Sequence, residues 1–302
     1  MSGRPPGAVE RVAIVGAGTM GGGIAQAAAQ AGFATRLVDA DPAAPGRARA
    51  AAEARLRKAV ELGKLAREAV EPALERIVPA RDLETAVADA AIVIEAAPEE
   101  LELKRDLFRR VTAAAPGTAL LASNTSSISL ARIAEAADPR RTLGLHFFNP
   151  VHVMQLVEIV APDALEPAAL ERAREFVSAL GKEAIVVRDV PGFATSRLGL
   201  ALGLEAIRMV EQGVASAPDI DRAMELGYRH PMGPLRLTDL VGLDVRLSIA
   251  VNLHRELGAE GFRPPRLLER MVAAGALGQK AGRGFYVWRD GKAVEPAPML
   301  AE

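Results

Sequence analysis

Apolar and polar positions follow two regimes along this chain. In the first, short apolar runs at 12–15, 91–95, 120–123 and 143–146, and a half-apolar one at 35–38, each end in turn-forming or polar residues. Runs this short, bounded by such residues, read as buried strands. The segments 20–31, 41–62 and 100–114 carry helical spacing instead, and Gly63 stops the second of them. Segment 74–78 fits either state. Two later strands are expected at 156–160 and 185–187, around a helix over 166–180 that Gly181 ends. Their direction in the sheet stays open. Strands alternating with helices specify a parallel sheet covered on both faces.

The turn after the first run is the most specific stretch. Gly16, Gly18 and Gly21 take the spacing G-x-G-x-x-G between a strand and a helix. Gly16 permits the tight turn, Gly18 lets backbone approach a pyrophosphate, and Gly21 lets helix and strand pack closely. The helix opened by Thr19 and Met20 aims its unpaired N–H groups at the phosphates. Asp39 closes the next strand, about 20 residues on, where an acid grips the ribose hydroxyls. Its charge selects NAD over NADP, and Arg36 lies on the wrong side to reverse that. The first domain therefore reads as a Rossmann-type doubly wound sheet, with ligands beyond the carboxyl ends of its strands. Gly16, Asp39, Glu95, Ser126 and His146 all fall on that rim.

After Asp189-Val190-Pro191-Gly192-Phe193 strand alternation stops. Helices are expected at 195–213, 217–226, 236–257 and 264–275, punctuated by Gly213, Gly227, Pro231, Gly233-Pro234 and Pro264-Pro265. Asp219 reads as the start of the second, with Asp239 and Asp244 inside the third. The division is thus an α/β domain, 1–189, followed by an all-α domain, 190–302. The helix around 196–210 carries Leu198, Ala201, Leu202, Ala206 and Met209 besides Glu205, too apolar to face water all round. It fits an internal core or a subunit interface, for which a symmetric dimer is the commonest solution. The last ten residues are expected to be loose.

Composition narrows the function. The 302 residues are 50% apolar and 25% charged, with a net charge of −1. That balance predicts a globular chain without nucleic acid or anionic membrane as partner. There is no cysteine, which removes disulfides and thiolate chemistry and suits a reducing cytosol. The opening MSGRPPGAVE lacks a signal peptide's apolar stretch, and no segment has the length and apolarity of a bilayer span. A cytoplasmic protein is expected. No His, Asp and Glu spacing resembles a metal site. Lys58 and Lys64 read as solvated surface charge, or as contacts to phosphates of a large substrate.

Four histidines are present. His146 ends an apolar strand on the ligand rim, where an imidazole suits proton transfer at neutral pH. Glu158 sits in the apolar run 156–160, where a carboxylate is costly unless paired. With the two strands side by side, Glu158 would fix the imidazole's tautomer and strengthen it as a base. His152, His230 and His254 read as pocket-lining, solvated or structural. Ser126 and Ser127 follow a strand, within reach of a substrate oxygen or a nicotinamide amide. Capping of the next helix is the other reading for Ser127.

Taken together, GAGTMGGGIAQ (16–26), IEAAPEELELK (94–104), ASNTSSISL (122–130), GLHFFNPVHVMQLVEIV (144–160), DVPGF (189–193), PMGPLRLTDLVGLD (231–244) and GQKAGRGFY (278–286) resemble the 3-hydroxyacyl-CoA dehydrogenase family, short-chain bacterial members above all. The likeness implies reversible oxidation of an (S)-3-hydroxyacyl-CoA by NAD, and a homodimer joined through the helical domain. It implies that His146 is the general base, Glu158 its partner, and Ser126 a contact to substrate and nicotinamide. Ala96, Glu99, Lys104, Asn149 and Lys280 match cofactor contacts. Where the family has an asparagine at the reacting oxygen, DVPGFATSR puts Ser196, shorter but still donor and acceptor. That departure gives room to a same-fold dehydrogenase of a non-CoA hydroxy acid, gulonate- or carnitine-like. A non-catalytic NAD-binding protein is the remaining alternative, and retention of His146 and Glu158 speaks against it.

Overall fold

The computed structural model describes residues 10–298, which divide into two compact units between Val190 and Pro191. The reading of residues 1–9 as leaderless, and of 299–302 as loose, lies outside the described residues.

The first unit begins β1 (Arg11–Val15), α1 (Thr19–Gln30), β2 (Ala34–Val38), α2 (Ala44–Glu61), α3 (Val70–Glu75) and β3 (Ile77–Pro79). It continues α4 (Leu83–Val87), β4 (Ile92–Glu95), α5 (Leu101–Ala114), β5 (Leu120–Ser123) and α6 (Leu130–Ala134). It ends β6 (Thr142–Phe147), β7 (Leu156–Ala161), α7 (Pro167–Ala179) and β8 (Glu183–Arg188). The ambiguous segment 74–78 thus holds both the end of a helix and the start of a strand.

The eight strands form one sheet in the order β3-β2-β1-β4-β5-β6-β7-β8. β1 to β6 run parallel. β7 lies antiparallel to β6, and β8 follows β7 in parallel. The order doubles back at β1, so a crevice opens beyond the ends of β1 and β4, where such sheets take ligands. Helices cover both faces, which is why the central strands are apolar throughout. Ile14, Ile94 and Leu145 are 0% exposed, each contributing roughly 1.5–3 kcal/mol by burial. α6 is capped from afar: Asp189 accepts from Ser129 Oγ and from the Ala131 N–H, both at 2.8 Å. Ser127 therefore does not cap it.

The second unit holds α8 (Thr195–Glu211), α9 (Ala217–Arg222), a π-helical turn (Ala223–Gly227), α10 (Pro234–Val241), α11 (Leu243–Leu257), α12 (Arg266–Ala273) and an antiparallel pair, β9 (Tyr286–Arg289) and β10 (Lys292–Pro296). Four expectations need correction here. The helix expected over 236–257 is two, because Gly242 takes φ +101° and Leu243 N–H turns to the Leu277 carbonyl. α9 starts not at Asp219 but at Ala217, preceded by Ser216, whose hydroxyl accepts from the Asp219 N–H as an N-cap. The unit is helical but carries a hairpin, turned at Asp290-Gly291, both at positive φ. Asp-Gly between alternating apolar residues is the local signal for that turn. Consequently residues 293–296, expected to be loose, belong to β10. On α8 the buried face is Leu200, Gly203, Leu204, Ala206 and Ile207, while Leu198 is 71% exposed.

Candidate active site

β6 and β7 are neighbours, and their register sets His146 directly opposite Glu158. Side chains opposite each other in an antiparallel pair share a face of the sheet. Here the imidazole Nδ1 lies 2.7 Å from Glu158 Oε2, with His146 7% exposed and Glu158 0%. A carboxylate so deep is tolerated because a charge-assisted hydrogen bond offsets its lost hydration. The Phe148 ring packs on the imidazole at 4.6 Å between centroids. The end of β6 is tied to the β5 loop, since Phe147 N–H donates to Asn124 Oδ1 at 2.9 Å.

A second polar group stands at the ends of β4 and β5. Lys104, 1% exposed, places its ammonium 2.7 Å from Glu95 Oε1 and 3.3 Å from Glu99 Oε2. Glu95 also accepts from the Ser123 hydroxyl and the Ala97 N–H, both at 2.6 Å. Glu99 in turn gathers the loop after β5. Its Oε1 accepts from the Thr125 hydroxyl at 2.6 Å, and from both the N–H and the hydroxyl of Ser127. Burial pushes the Glu99 carboxyl up, yet Thr125, Lys104, Ser126 and Ser127 outweigh it and hold it below its ordinary value. Ser126 is left exposed at the loop's outer turn. The bracing roles of Asn124 and Ser123 were not read from sequence; their signal is a polar residue closing an apolar strand.

The glycine turn suits a dinucleotide phosphate on its own geometry. Gly16 is at φ +103°, and a Cβ there would stand 2.6 Å from the Ala96 carbonyl. A Cβ on Gly21 would stand 1.8 Å from the Gly16 carbonyl, so helix and turn touch backbone to backbone. Around Gly18, by contrast, a Cβ meets nothing within 4 Å, and α1 begins there with no side-chain cap. An open, uncapped helix end is an anion site in waiting. A cavity of about 700 Å³ extends from it past Thr19, Met20, Asp39 and Ala96. Asp39 Oδ2 accepts from the Ala17 N–H at 2.6 Å, and Oδ1 from the Asp41 N–H at 2.9 Å. Arg36 turns to Asp89 and the Thr85 carbonyl. Asn149 is exposed after β6, and Lys58 pairs with Glu61 on the surface.

In the second unit, Ser196 stands half-buried in the first turn of α8, and Lys280 is 2.6 Å from the Asp244 carboxylate. Two buried acids there went unread as hubs. Asp221 receives the Leu235 and Arg236 N–H groups and the Tyr286 hydroxyl. Asp239 receives the N–H groups of Phe285 and Tyr286 and the Trp288 indole. Burial raises the pKa of both despite those donors. They knit helix starts to the hairpin. Among the described residues no cluster of three His, Asp or Glu could hold a metal, and no helix is long and apolar enough to cross a membrane.

The sheet, with a glycine turn after β1 and an acid closing β2, has the architecture of a dinucleotide-binding domain. Comparison with known proteins gives the family. The family model for the 3-hydroxyacyl-CoA dehydrogenase NAD binding domain matches residues 11–190, and that for its C-terminal domain matches 192–288. The 3-hydroxybutyryl-CoA dehydrogenase of Bradyrhizobium diazoefficiens is 43% identical over 287 residues, covering 95% of this chain and 98% of that one. The human mitochondrial hydroxyacyl-coenzyme A dehydrogenase is 39% identical, covering 93% and 92%. The crystal structure of (S)-3-hydroxybutyryl-CoA dehydrogenase from Ralstonia eutropha superposes with a TM-score of 0.90 at 38% identity, over 94% of this chain and all of that one. The chain belongs to the 3-hydroxyacyl-CoA dehydrogenase family, and its first unit is that family's NAD-binding domain.

Proposed function

We propose that this protein interconverts an (S)-3-hydroxyacyl-CoA, of short chain such as 3-hydroxybutyryl-CoA, and the 3-oxoacyl-CoA. The observation that carries the reading is the 2.7 Å contact between His146 Nδ1 and Glu158. With Nδ1 given to the carboxylate, Nε2 is the nitrogen that exchanges a proton with the substrate hydroxyl. Glu158 then stabilises the imidazolium that forms, as base-plus-orienter pairs do. NAD, when bound, supplies the hydride chemistry by accepting hydride from carbon 3 of the substrate. Gly16, Gly18, Thr19, Met20 and Gly21 hold its pyrophosphate and Asp39 its adenosine ribose. Ala96, Glu99, Lys104, Asn149 and Lys280 serve the cofactor, Lys104 acting through the carboxylates it neutralises. Ser126 orients the substrate oxygen and the nicotinamide amide, and Ser196 meets the reacting oxygen.

A homodimer through the helical unit fits its outward apolar side chains, Leu198, Leu226 and Tyr228 being 71%, 70% and 75% exposed. A second reading, oxidation of a free hydroxy acid, rests on Ser196 where the family carries asparagine. NADH absorbance followed with acetoacetyl-CoA, longer 3-oxoacyl-CoA thioesters, gulonate and carnitine separates the two. Turnover of the thioesters alone upholds the first; turnover of the free acids alone replaces it with the second.

A further inference from the structure

Among the described residues, Arg246 is a cation that no carboxylate pairs with. It is 6% exposed, and its Nε finds no hydrogen-bond partner among the described residues. Burial alone lowers its pKa, to about 10, with no carboxylate close enough to counter the loss of water. The nearest acid in sequence, Asp244, gives its carboxylate to Lys280. Arg246 also stands in the first turn of α11, the end at which a helix favours negative charge. A buried, unpaired guanidinium at the positive end of a helix is destabilising on each count.

Two glycines of α8 lie against it. A Cβ on Gly199 would lie 3.7 Å from Arg246 Nη1, and one on Gly203 would lie 3.9 Å from its Cζ. Thr238 Oγ1 is a second buried polar atom without a partner, 3.1 Å from that same Gly203 position. Gly199 and Gly203 are consecutive turns of α8, on the face that carries Ser196 one turn earlier. The 3.7 and 3.9 Å separations are ordinary van der Waals distances, so these glycines let the guanidinium pack closely against α8, at a cost to the helix interior. An anion lodged there would remove the electrostatic penalty and find a hydroxyl donor in Thr238.

We propose that Arg246 recognises a substrate carboxylate and selects substrates that carry one away from the reacting carbon. The inference rests on the dehydrogenase reading, in which Ser196 meets the reacting oxygen. Two sources supply such a group: the far end of a dicarboxylic acyl thioester, and the C1 carboxylate of a free hydroxy acid. The test compares kcat/KM with NAD for 3-hydroxybutyryl-CoA, 3-hydroxyadipyl-CoA, the adipyl thioester's terminal methyl ester, and free 3-hydroxybutyrate and gulonate. The native enzyme should favour the free terminal carboxylate over its methyl ester by at least about tenfold. Arg246→Met should bring that ratio near one, chiefly through KM, and Arg246→Lys should keep part of it. Preference for the free acids over every thioester would assign the same carboxylate contact to C1. The ester comparison uses the native protein alone, so it decides even where a variant folds poorly. Equal rates for acid and ester, with the free acids inert and 3-hydroxybutyryl-CoA oxidised, would overturn the role of Arg246 and leave the dehydrogenase reading intact. Oxidation of none of these would remove both. An Arg246→Met protein with an altered oligomeric state and an unaltered ratio would place the arginine in a subunit contact and overturn the proposal.

Discussion

Glu99, in the segment after β4, accepts the backbone N–H of Ser126, in the segment after β5, at 3.0 Å. One carboxylate thereby holds the loop on which the exposed serine stands. Glu99→Ala should release that loop, cost about 1–2 kcal/mol of stability for a partly exposed set of bonds, and raise KM for NAD and substrate together. Glu99→Gln keeps the acceptor oxygen and should cost less. The pH dependence has a definite sign. The folded carboxyl sits below its ordinary value of 4.5, so its contribution is present above that value and fades as pH falls through the lower folded pKa. Urea unfolding between pH 3 and 7 should show a shallower acid limb for Glu99→Gln than for the native protein.

His146→Ala should retain NAD binding and lose roughly a hundred- to ten-thousand-fold in kcat. Glu158→Gln leaves the imidazole in place but removes the charge that stabilises its protonated form, so kcat should fall less than for His146→Ala. Calorimetric NAD titration beside steady-state kinetics checks both. Near-native turnover in His146→Ala would refute the base.

Asp39→Ala should weaken NAD by about tenfold or more, since a charged hydrogen-bond partner of the ribose is lost. NADP should lose far less, its 2′-phosphate being repelled by the same carboxylate. Dissociation constants for both nucleotides decide it, and equal losses would count against the ribose contact.

Lys104→Met should destabilise the first unit by about 3–5 kcal/mol, because Glu95 keeps a buried charge with its cation gone. Adding Glu95→Gln should restore part of the loss. The measurement is the urea midpoint at unchanged slope, and additive effects of the two changes would speak against the pair.

Local pattern made much of the first unit legible. The strands at 12–15 and 120–123, the helix after the first of them, the G-x-G-x-x-G turn and Asp39 are written in consecutive residues, where period and turn chemistry act directly. The second unit was less open. The break at Gly242 depends on residues 277–285 crossing the end of α10, and a single glycine inside a helical pattern does not announce such a crossing. The Asp290-Gly291 turn carries a local hairpin signal, but the residues after it, 293–296, were expected to be loose and instead form β10.

Residue types alone therefore established a dinucleotide-binding α/β unit, a helical unit after it, and the kinds of side chain offered for proton transfer. They left open which residues meet. That Glu158 faces His146 follows from β7 entering antiparallel to β6 in one register, and that Arg246 lies against Gly199 and Gly203 follows from how α11 packs on α8. Periodicity is a property of neighbours in the chain. Register, burial and the neutralising of charge arise between segments far apart in it, and come into being when those segments pack.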